Sequence, residues 1–122
     1  MDPIAKQDRR VANIFDAEYR HWTLEDGTPS QGETILQLSE DKPLGVGFHV
    51  YRMAPGTTTT PHRHNGDEEF LVLEGELSDH DGAIYRKGDL VWLRDGTVHN
   101  SHSKDGALLA VYIPAQEKSV EE

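Results

Sequence analysis

The sequence contains no cysteine among its 122 residues. Disulfides, thiolate metal sites and cysteine nucleophiles are therefore all excluded. Positive charge is also scarce, because 12 Lys and Arg stand against 22 Asp and Glu, which gives a net charge of −10. A nucleic-acid-binding protein needs a basic patch, and an anionic membrane surface repels an acidic chain. We therefore expect no nucleic acid and no membrane among the partners.

Long apolar runs are missing as well. No stretch approaches the roughly 20 apolar residues of a membrane-spanning helix. The first residues, MDPIAKQDRR, are followed by no apolar segment of the kind that a secretory signal needs. A length of 122 residues suits one domain with its own core. The sequence predicts a soluble, single-domain protein of the cytoplasm.

Helical periodicity is weak, whereas turn-forming residues are frequent, with 11 Gly and 6 Pro. Short segments rich in β-branched and aromatic residues lie between them, at residues 34–36, 46–53, 70–73, 83–85, 90–93 and 108–113. Short strands separated by turn signals are typical of an all-β sandwich or barrel. We predict an N-terminal extension over residues 1–20 that is loosely held or packs on a partner subunit. A β-barrel should follow over residues 21–115, with a flexible C-terminal tail over residues 116–122.

Two histidines, His62 and His64, stand two positions apart in a strand-like segment. Residues i and i+2 of a strand face the same side, and two adjacent imidazoles suit one ion better than they suit core packing. Glu68 follows at an even offset beyond Asn-Gly-Asp, a turn that can return its carboxylate to that side. His99 ends a later strand-like run and can approach from a neighbouring strand.

Acidic residues are concentrated around this segment, where residues 65–81 contain no Lys or Arg. We interpret them, apart from Glu68, as a solvated strand face and a hairpin turn. The acids of this segment are Asp67, Glu68, Glu69, Glu74, Glu76, Asp79 and Asp81.

Three imidazoles and one carboxylate suit Fe, Zn, Mn, Ni or Co, and poorly suit Ca or Mg. We therefore predict that His62, His64, Glu68 and His99 bind one divalent transition metal per chain. A six-coordinate ion with these four ligands keeps two positions for water, oxygen or substrate. The ligand types do not choose among the metals.

The same residues carry a resemblance to the cupin superfamily. Its first motif has a glycine, His-x-His, a glutamate and a second glycine at fixed spacing, and Gly56, His62, His64, Glu68 and Gly75 match each position.

The second cupin motif is matched in part. Gly88, Gly96 and His99 stand at the expected positions, whereas Arg94 replaces a proline and Ser103 replaces an asparagine. Neither departure removes a metal ligand. The resemblance implies a jelly-roll β-barrel that forms a homodimer.

Within the superfamily, the segment from Glu68 to Asp79 with the later Gly82 and Gly88 is most similar to the ChrR-type cupin domain. In ChrR-type anti-sigma factors that domain follows a helical zinc-binding domain. This sequence shows no such helical domain and no cysteine, so the resemblance implies a stand-alone relative, and sigma-factor binding is not carried over.

The site allows more than one function. We expect a small metalloenzyme, dioxygenase-like or isomerase-like, that acts on a small oxygenated or anionic molecule. The alternatives are a non-catalytic sensor module of ChrR type and a ligand-binding barrel with a structural metal. No catalytic residue is identified beyond the metal centre. Tyr51 and His49 are candidates for supporting the ligands or for hydrogen bonding at the cavity rim.

Overall fold

The computed structural model describes residues 1–120, which fold almost entirely into β-strands. Within this range the one helical segment is a 3₁₀ turn at Lys6–Asp8, and no helix is long and apolar enough to cross a membrane. The all-β prediction is confirmed. The strands are β1 Arg20–Thr23, β2 Pro29–Leu36, β3 Gly47–Met53, β4 Thr57–Thr58, β5 His62–Arg63, β6 Glu68–Asp79, β7 Ile84–Arg86, β8 Leu90–Leu93, β9 Val98–His99, β10 Ser101–Ser103, β11 Ala107–Ile113 and β12 Lys118–Ser119.

Nine of these strands form one curled sheet in the order β1-β2-β3-β11-β6-β10-β4, with β7 and β8 also paired to β6. The long strand β6 is shared between the two walls of the barrel. Its first residues pair with β8, and its last residues pair with β7 and β10. Because each half has different neighbours, one strand joins the two walls.

A separate three-stranded sheet has the order β12-β5-β9. In this sheet His62 of β5 lies opposite His99 of β9 on one side and opposite Ser119 of β12 on the other. The two halves of the chain that carry the histidine motifs are therefore joined by backbone pairing.

The core lies between the inward faces of the curled sheet. Apolar side chains from the three neighbouring strands β3, β6 and β11 meet there with almost no exposure, and burial of such side chains is the main force that stabilises the fold. The buried cluster consists of Met53, Phe70, Val72, Leu77, Ala107, Leu109, Val111 and Ile113.

The inward face of β6 changes phase halfway along the strand. Residues 68, 70 and 72 are buried in the first half, whereas Leu77 and Asp79 are buried in the second. The ladder to β11 skips Leu73, since Glu74 and Val72 pair with successive residues of β11. Such a bulge inserts one residue and reverses the alternation beyond it.

Gly75 permits this bulge. Its φ is +78°, and a Cβ at this position would lie 2.2 Å from the carbonyl oxygen of Gly106. A positive φ strains most L-residues, and here the neighbouring backbone also leaves no space. Glycine is therefore required at this point by both conformation and contact.

The strands of the large sheet run from Arg20 to Ile113. The predicted flexible tail differs from the structure, because Lys118–Ser119 form β12 against β5. The free edge of a two-residue strand such as β5 can accept a further strand through backbone hydrogen bonds alone. A short polar segment gives no sequence signal for such pairing. Residues 121 and 122 of the predicted tail lie outside the described residues.

Candidate metal centre

Three histidine rings point into a common space beside the small sheet. His62 and His99 are cross-strand partners, and their ring centroids are 4.6 Å apart. The ring of His64 lies 5.2 Å from that of His62 and 4.7 Å from that of His99. One ring nitrogen from each histidine lies within 4.8 Å of the other two. The three residues could therefore act as ligands of one ion.

Two backbone hydrogen bonds hold His64 against the loop that precedes β9. Its N–H donates to the carbonyl of Thr97 at 3.0 Å, and its carbonyl accepts from the N–H of Gly96 at 3.0 Å. These two bonds tie the first histidine segment to the loop that precedes His99.

Glu68 brings a carboxylate to the same space from the start of β6. Its Oε1 lies 3.4 Å from Nε2 of His64 and 3.8 Å from Nε2 of His99. Its side chain is only 9% exposed. The structure thus brings the four residues that the sequence predicts as ligands into one cluster.

The buried nitrogens of this cluster lack hydrogen-bond partners. Among residues 1–120, both ring nitrogens of His64 and Nε2 of His99 are buried without one. Leaving a buried polar atom unsatisfied costs ~1–3 kcal/mol. A metal ion at the centre would satisfy the two Nε2 atoms, and imidazole and carboxylate are donors that divalent transition metals accept. The residues present therefore fit such an ion.

Burial governs how the cluster ionises without a metal. Desolvation, aided by repulsion from His99 and His62, lowers the pKa of His64 to about 4. Desolvation, aided by the charge of Glu117, raises the pKa of Glu68 to about 8. At pH 7 the metal-free chain therefore holds a neutral His64 and a protonated Glu68. A bound cation favours the carboxylate form and would displace that proton.

Asp79 is a functional candidate that the sequence analysis missed, since it was interpreted as part of a solvated face. Its side chain is 5% exposed, and its Oδ1 accepts a hydrogen bond from Nδ1 of His99 at 3.0 Å. The hydroxyls of Ser101 and Tyr85 donate to the same carboxylate at 2.6 and 2.7 Å. Alternation from Glu68 predicts that Asp79 faces outward, and the bulge reverses that orientation.

The contact with Asp79 raises the pKa of His99. Burial by itself lowers the pKa of His99, but the hydrogen bond and charge of Asp79 outweigh it and raise the pKa. The Nδ1–H is held towards Asp79, which leaves Nε2 facing the cluster. His62 is oriented similarly, because its Nδ1 donates to the carbonyl of Thr60 at 2.8 Å.

Glu117 is the second residue that the sequence analysis missed. Its Oε2 lies 3.3 Å from Nε2 of His62, and its Oε1 lies 4.0 Å from Nε2 of His64. Glu117, His64 and Glu68 form a second group whose ligand atoms lie within 4.8 Å of one another. No motif spacing connects position 117 with the histidines, so only the pairing of β12 shows the proximity.

A cavity of about 470 Å³ opens from the cluster into the barrel. Its lining joins His62, Glu68 and His99 to apolar residues of the core. Tyr51 and His49 also line it, in agreement with a position near the cavity.

Neither Tyr51 nor His49 has a described hydrogen bond to the histidine cluster. The Tyr51 hydroxyl donates to Oε1 of Glu33 at 2.5 Å, and Nδ1 of His49 donates to the carbonyl of Gly47 at 3.0 Å. Burial and the charge of Glu33 raise the pKa of Tyr51 well above its ordinary value. Tyr51 is therefore a neutral hydroxyl group in the cavity wall.

Residues 16–115 match the family described as the ChrR Cupin-like domain. The match spans most of the chain and includes both histidine segments, so this chain belongs to the ChrR Cupin-like domain family. The resemblance drawn from the two motifs is confirmed.

Solved structures agree on the fold. An acetylacetone dioxygenase from Acinetobacter johnsonii superposes with a TM-score of 0.70 at 14% identity, over 100% of this chain and 86% of that one. The anti-sigma factor ChrR, in complex with SigE of Rhodobacter sphaeroides, superposes with a TM-score of 0.61 at 19% identity. That match covers 81% of this chain and 49% of the other. At these identities the likeness supports the cupin jelly-roll fold alone.

One curated protein also matches in sequence. The small ribosomal subunit protein uS4 of Bordetella avium is 25% identical over 107 residues, which are 86% of this chain. This chain spans about half the length of that protein, 50%. The net charge of −10 gives no support for nucleic-acid binding here.

Proposed function

We propose that this protein is a small metal-dependent enzyme, dioxygenase-like or isomerase-like, that acts on a small oxygenated or anionic molecule. His62, His64, Glu68 and His99 are the proposed ligands of one divalent transition metal, which is Fe, Zn, Mn, Ni or Co. The observation that carries the proposal is the cavity of about 470 Å³ that adjoins this cluster. A structural metal site needs no such space, whereas substrate pockets commonly measure ~300–1,000 Å³.

The protein's own groups would prepare the site in three ways. Asp79 holds the proton on Nδ1 of His99, so that Nε2 is free to bind. The small sheet fixes His62 opposite His99. Glu68 supplies the negative charge that a divalent ion needs in a buried position. When bound, the ion would supply either Lewis acidity or, as iron, binding of oxygen beside substrate.

The charge of the site favours an anionic substrate. Three neutral imidazoles and one carboxylate leave a local charge of about +1 around a divalent ion. The global charge of −10 is screened over ~8 Å at physiological salt, so the local field decides inside the cavity. The hydroxyl of Tyr51 and the carboxylate of Glu33 form a hydrogen-bonded pair in the cavity wall. That pair could orient a polar group of the substrate, while the apolar lining holds its carbon skeleton.

The alternative is a non-catalytic metal-binding sensor. The family match to the ChrR Cupin-like domain favours it. A sensor would close the coordination sphere and change shape or partners on metal loss. The homodimer and the cytoplasmic location stay predictions under either function.

Elemental analysis of protein purified without added metal tests the site first. The chain should then be loaded with each of the five metals and mixed with small enolisable dicarbonyl compounds, acetylacetone included. Oxygen uptake or isomerised product that disappears in His64→Ala but persists in His102→Ala would support the enzyme. His102 is a suitable control because its exposed ring contacts Thr58 and not the cluster.

Two results would contradict the enzyme proposal. Stoichiometric metal with neither turnover nor binding of nitric oxide to the Fe(II)-loaded chain would indicate a closed sphere and favour the sensor. Failure to take up any of the five metals would overturn the metal site itself.

A further inference from the structure

The C-terminal strand places one carboxylate on the exposed side of the histidine cluster. Glu117 immediately precedes β12, and its Oε2 lies 3.3 Å from Nε2 of His62. Its side chain is 30% exposed, whereas that of Glu68 is 9% exposed. Glu68 therefore closes the inner side of the cluster, and Glu117 lies on the side that solvent can reach.

Backbone pairing holds Glu117 in this position. Ser119 pairs with His62, and the N–H of Val120 donates to the carbonyl of Pro61 at 3.0 Å. On the other side of Glu117, the Asn65 side chain donates to the carbonyl of Gln116 at 2.7 Å. The backbone is thus anchored on both sides of Glu117, which keeps the carboxylate close to the histidine rings.

The segment also borders the cavity. Residues 116–119 contribute to its lining together with His62 and His99. Glu117 therefore borders the space that a molecule bound in the cavity beside the cluster would occupy. The buried Nε2 of His64, which lacks a hydrogen-bond partner, lies 4.0 Å from Oε1 of Glu117. His64 therefore presents a ring nitrogen without a hydrogen-bond partner near the Glu117 carboxylate.

We propose that Glu117 is a displaceable fifth ligand, which binds the metal until a small oxygen anion takes its place. The inference rests on the metal site of the proposed function and extends it, because Glu117 lies outside the four motif residues. It also specifies the substrate class: a carboxylate or enolate can substitute for the Glu117 carboxylate, whereas a neutral molecule competes poorly with it. A tethered carboxylate acts at an effective concentration in the ~mM range, so external anions must compete with it.

The test uses the Co(II)-loaded full chain and azide as the probe anion. Wild type, Glu117→Gln and Glu69→Gln are compared by visible absorption, first without azide and then during azide titration. Glu69→Gln removes the same charge from a residue paired with β8 and β11 on the outer side of β6. Thermal melting of each metal-loaded variant verifies that the fold is kept.

If Glu117 is a ligand, Glu117→Gln changes the Co(II) spectrum before azide is added, and it binds azide at least tenfold more tightly than wild type. Glu69→Gln should match wild type in both measurements. An unchanged spectrum and azide affinity in Glu117→Gln, with one Co(II) still bound per chain, would overturn the role of Glu117 and leave the four-residue site intact. If wild type itself binds no Co(II), the metal site and the role of Glu117 both fail.

Discussion

Asp79 accepts a hydrogen bond from the ring of His99, with 3.0 Å between Oδ1 and Nδ1. The same carboxylate accepts hydrogen bonds from Ser101 and Tyr85, so its position is fixed from three sides. It orients one proposed ligand without itself being one.

We expect Asp79→Asn to weaken metal affinity by about 10–100-fold, the usual cost of losing such a supporting contact. The amide can no longer stabilise the Nδ1–H of His99 with a full charge. A competition titration against a chromogenic chelator measures the change. Asp81→Asn is the matched control, because Asp81 caps an exposed turn through the N–H of Ala83. Equal affinities for the two variants would contradict the role of Asp79.

Replacing either histidine of the first motif should abolish stoichiometric metal. His62→Ala and His64→Ala each remove one of three imidazoles from the cluster. Elemental analysis after gel filtration gives the metal content per chain, and His102→Ala serves as the control. Full occupancy in His64→Ala would refute the ligand assignment.

Metal removal should lower thermal stability, because a ligand that binds only the folded state stabilises that state. At a free metal concentration of about 100 times Kd the gain is about 2.7 kcal/mol. For a chain of 122 residues that free energy corresponds to a Tm shift of about 10 °C. Calorimetry before and after verified chelation, with metal added back, measures it. An unchanged Tm would count against the site.

The metal-free chain should lose stability as pH rises from about 6.5 to 8. Burial raises the pKa of Glu68 to about 8, so the folded chain holds a proton there that the unfolded chain has released. Stability therefore falls with pH in this window, by about 2 kcal/mol in total. The opposing contribution of His64, whose pKa is lowered to about 4, is nearly complete above about pH 7, because the unfolded imidazole loses its proton around pH 6.5.

Urea unfolding at several pH values measures this slope. Glu68→Gln cannot ionise at this position, so its stability should fall less steeply with pH. The slope that remains comes from other groups such as His99. A metal-free wild type with constant stability across the window would show that Glu68 is not held protonated by the fold.

Gly75→Ala should cost much more stability than Gly82→Ala, although both glycines have a positive φ. Alanine in that conformation costs about 1–2 kcal/mol by itself. Gly82 has open space around it, whereas a Cβ at Gly75 meets the carbonyl oxygen of Gly106. We expect an additional ~1–3 kcal/mol for Gly75→Ala, by analogy with overpacking. Equal costs in chemical denaturation would show that the bulge adapts.

The sequence predicted the features that depend on the spacing of residues close together along the chain. The His62-x-His64 pair, the even offset to Glu68 and the turn-rich spacing of strands predicted an all-β barrel with a four-residue cluster. Alternation alone failed at Asp79, because a single inserted residue near Gly75 reverses the inward face of β6. Glu117 was out of reach for another reason, since its approach depends on backbone pairing of a short polar strand, which side-chain identity does not encode.

The direct opposition of His62 and His99 in the small sheet has a consequence for how the molecule is held together. These residues are far apart in sequence, and an ion bound to both would close the loop of chain between them. An ion that binds only the folded chain stabilises this closed loop by its binding free energy. In a chain without cysteine, a bound metal would thereby act as a reversible cross-link in place of a disulfide. The resistance of the chain to proteolysis would then depend on the metal concentration and not on the redox state of its surroundings.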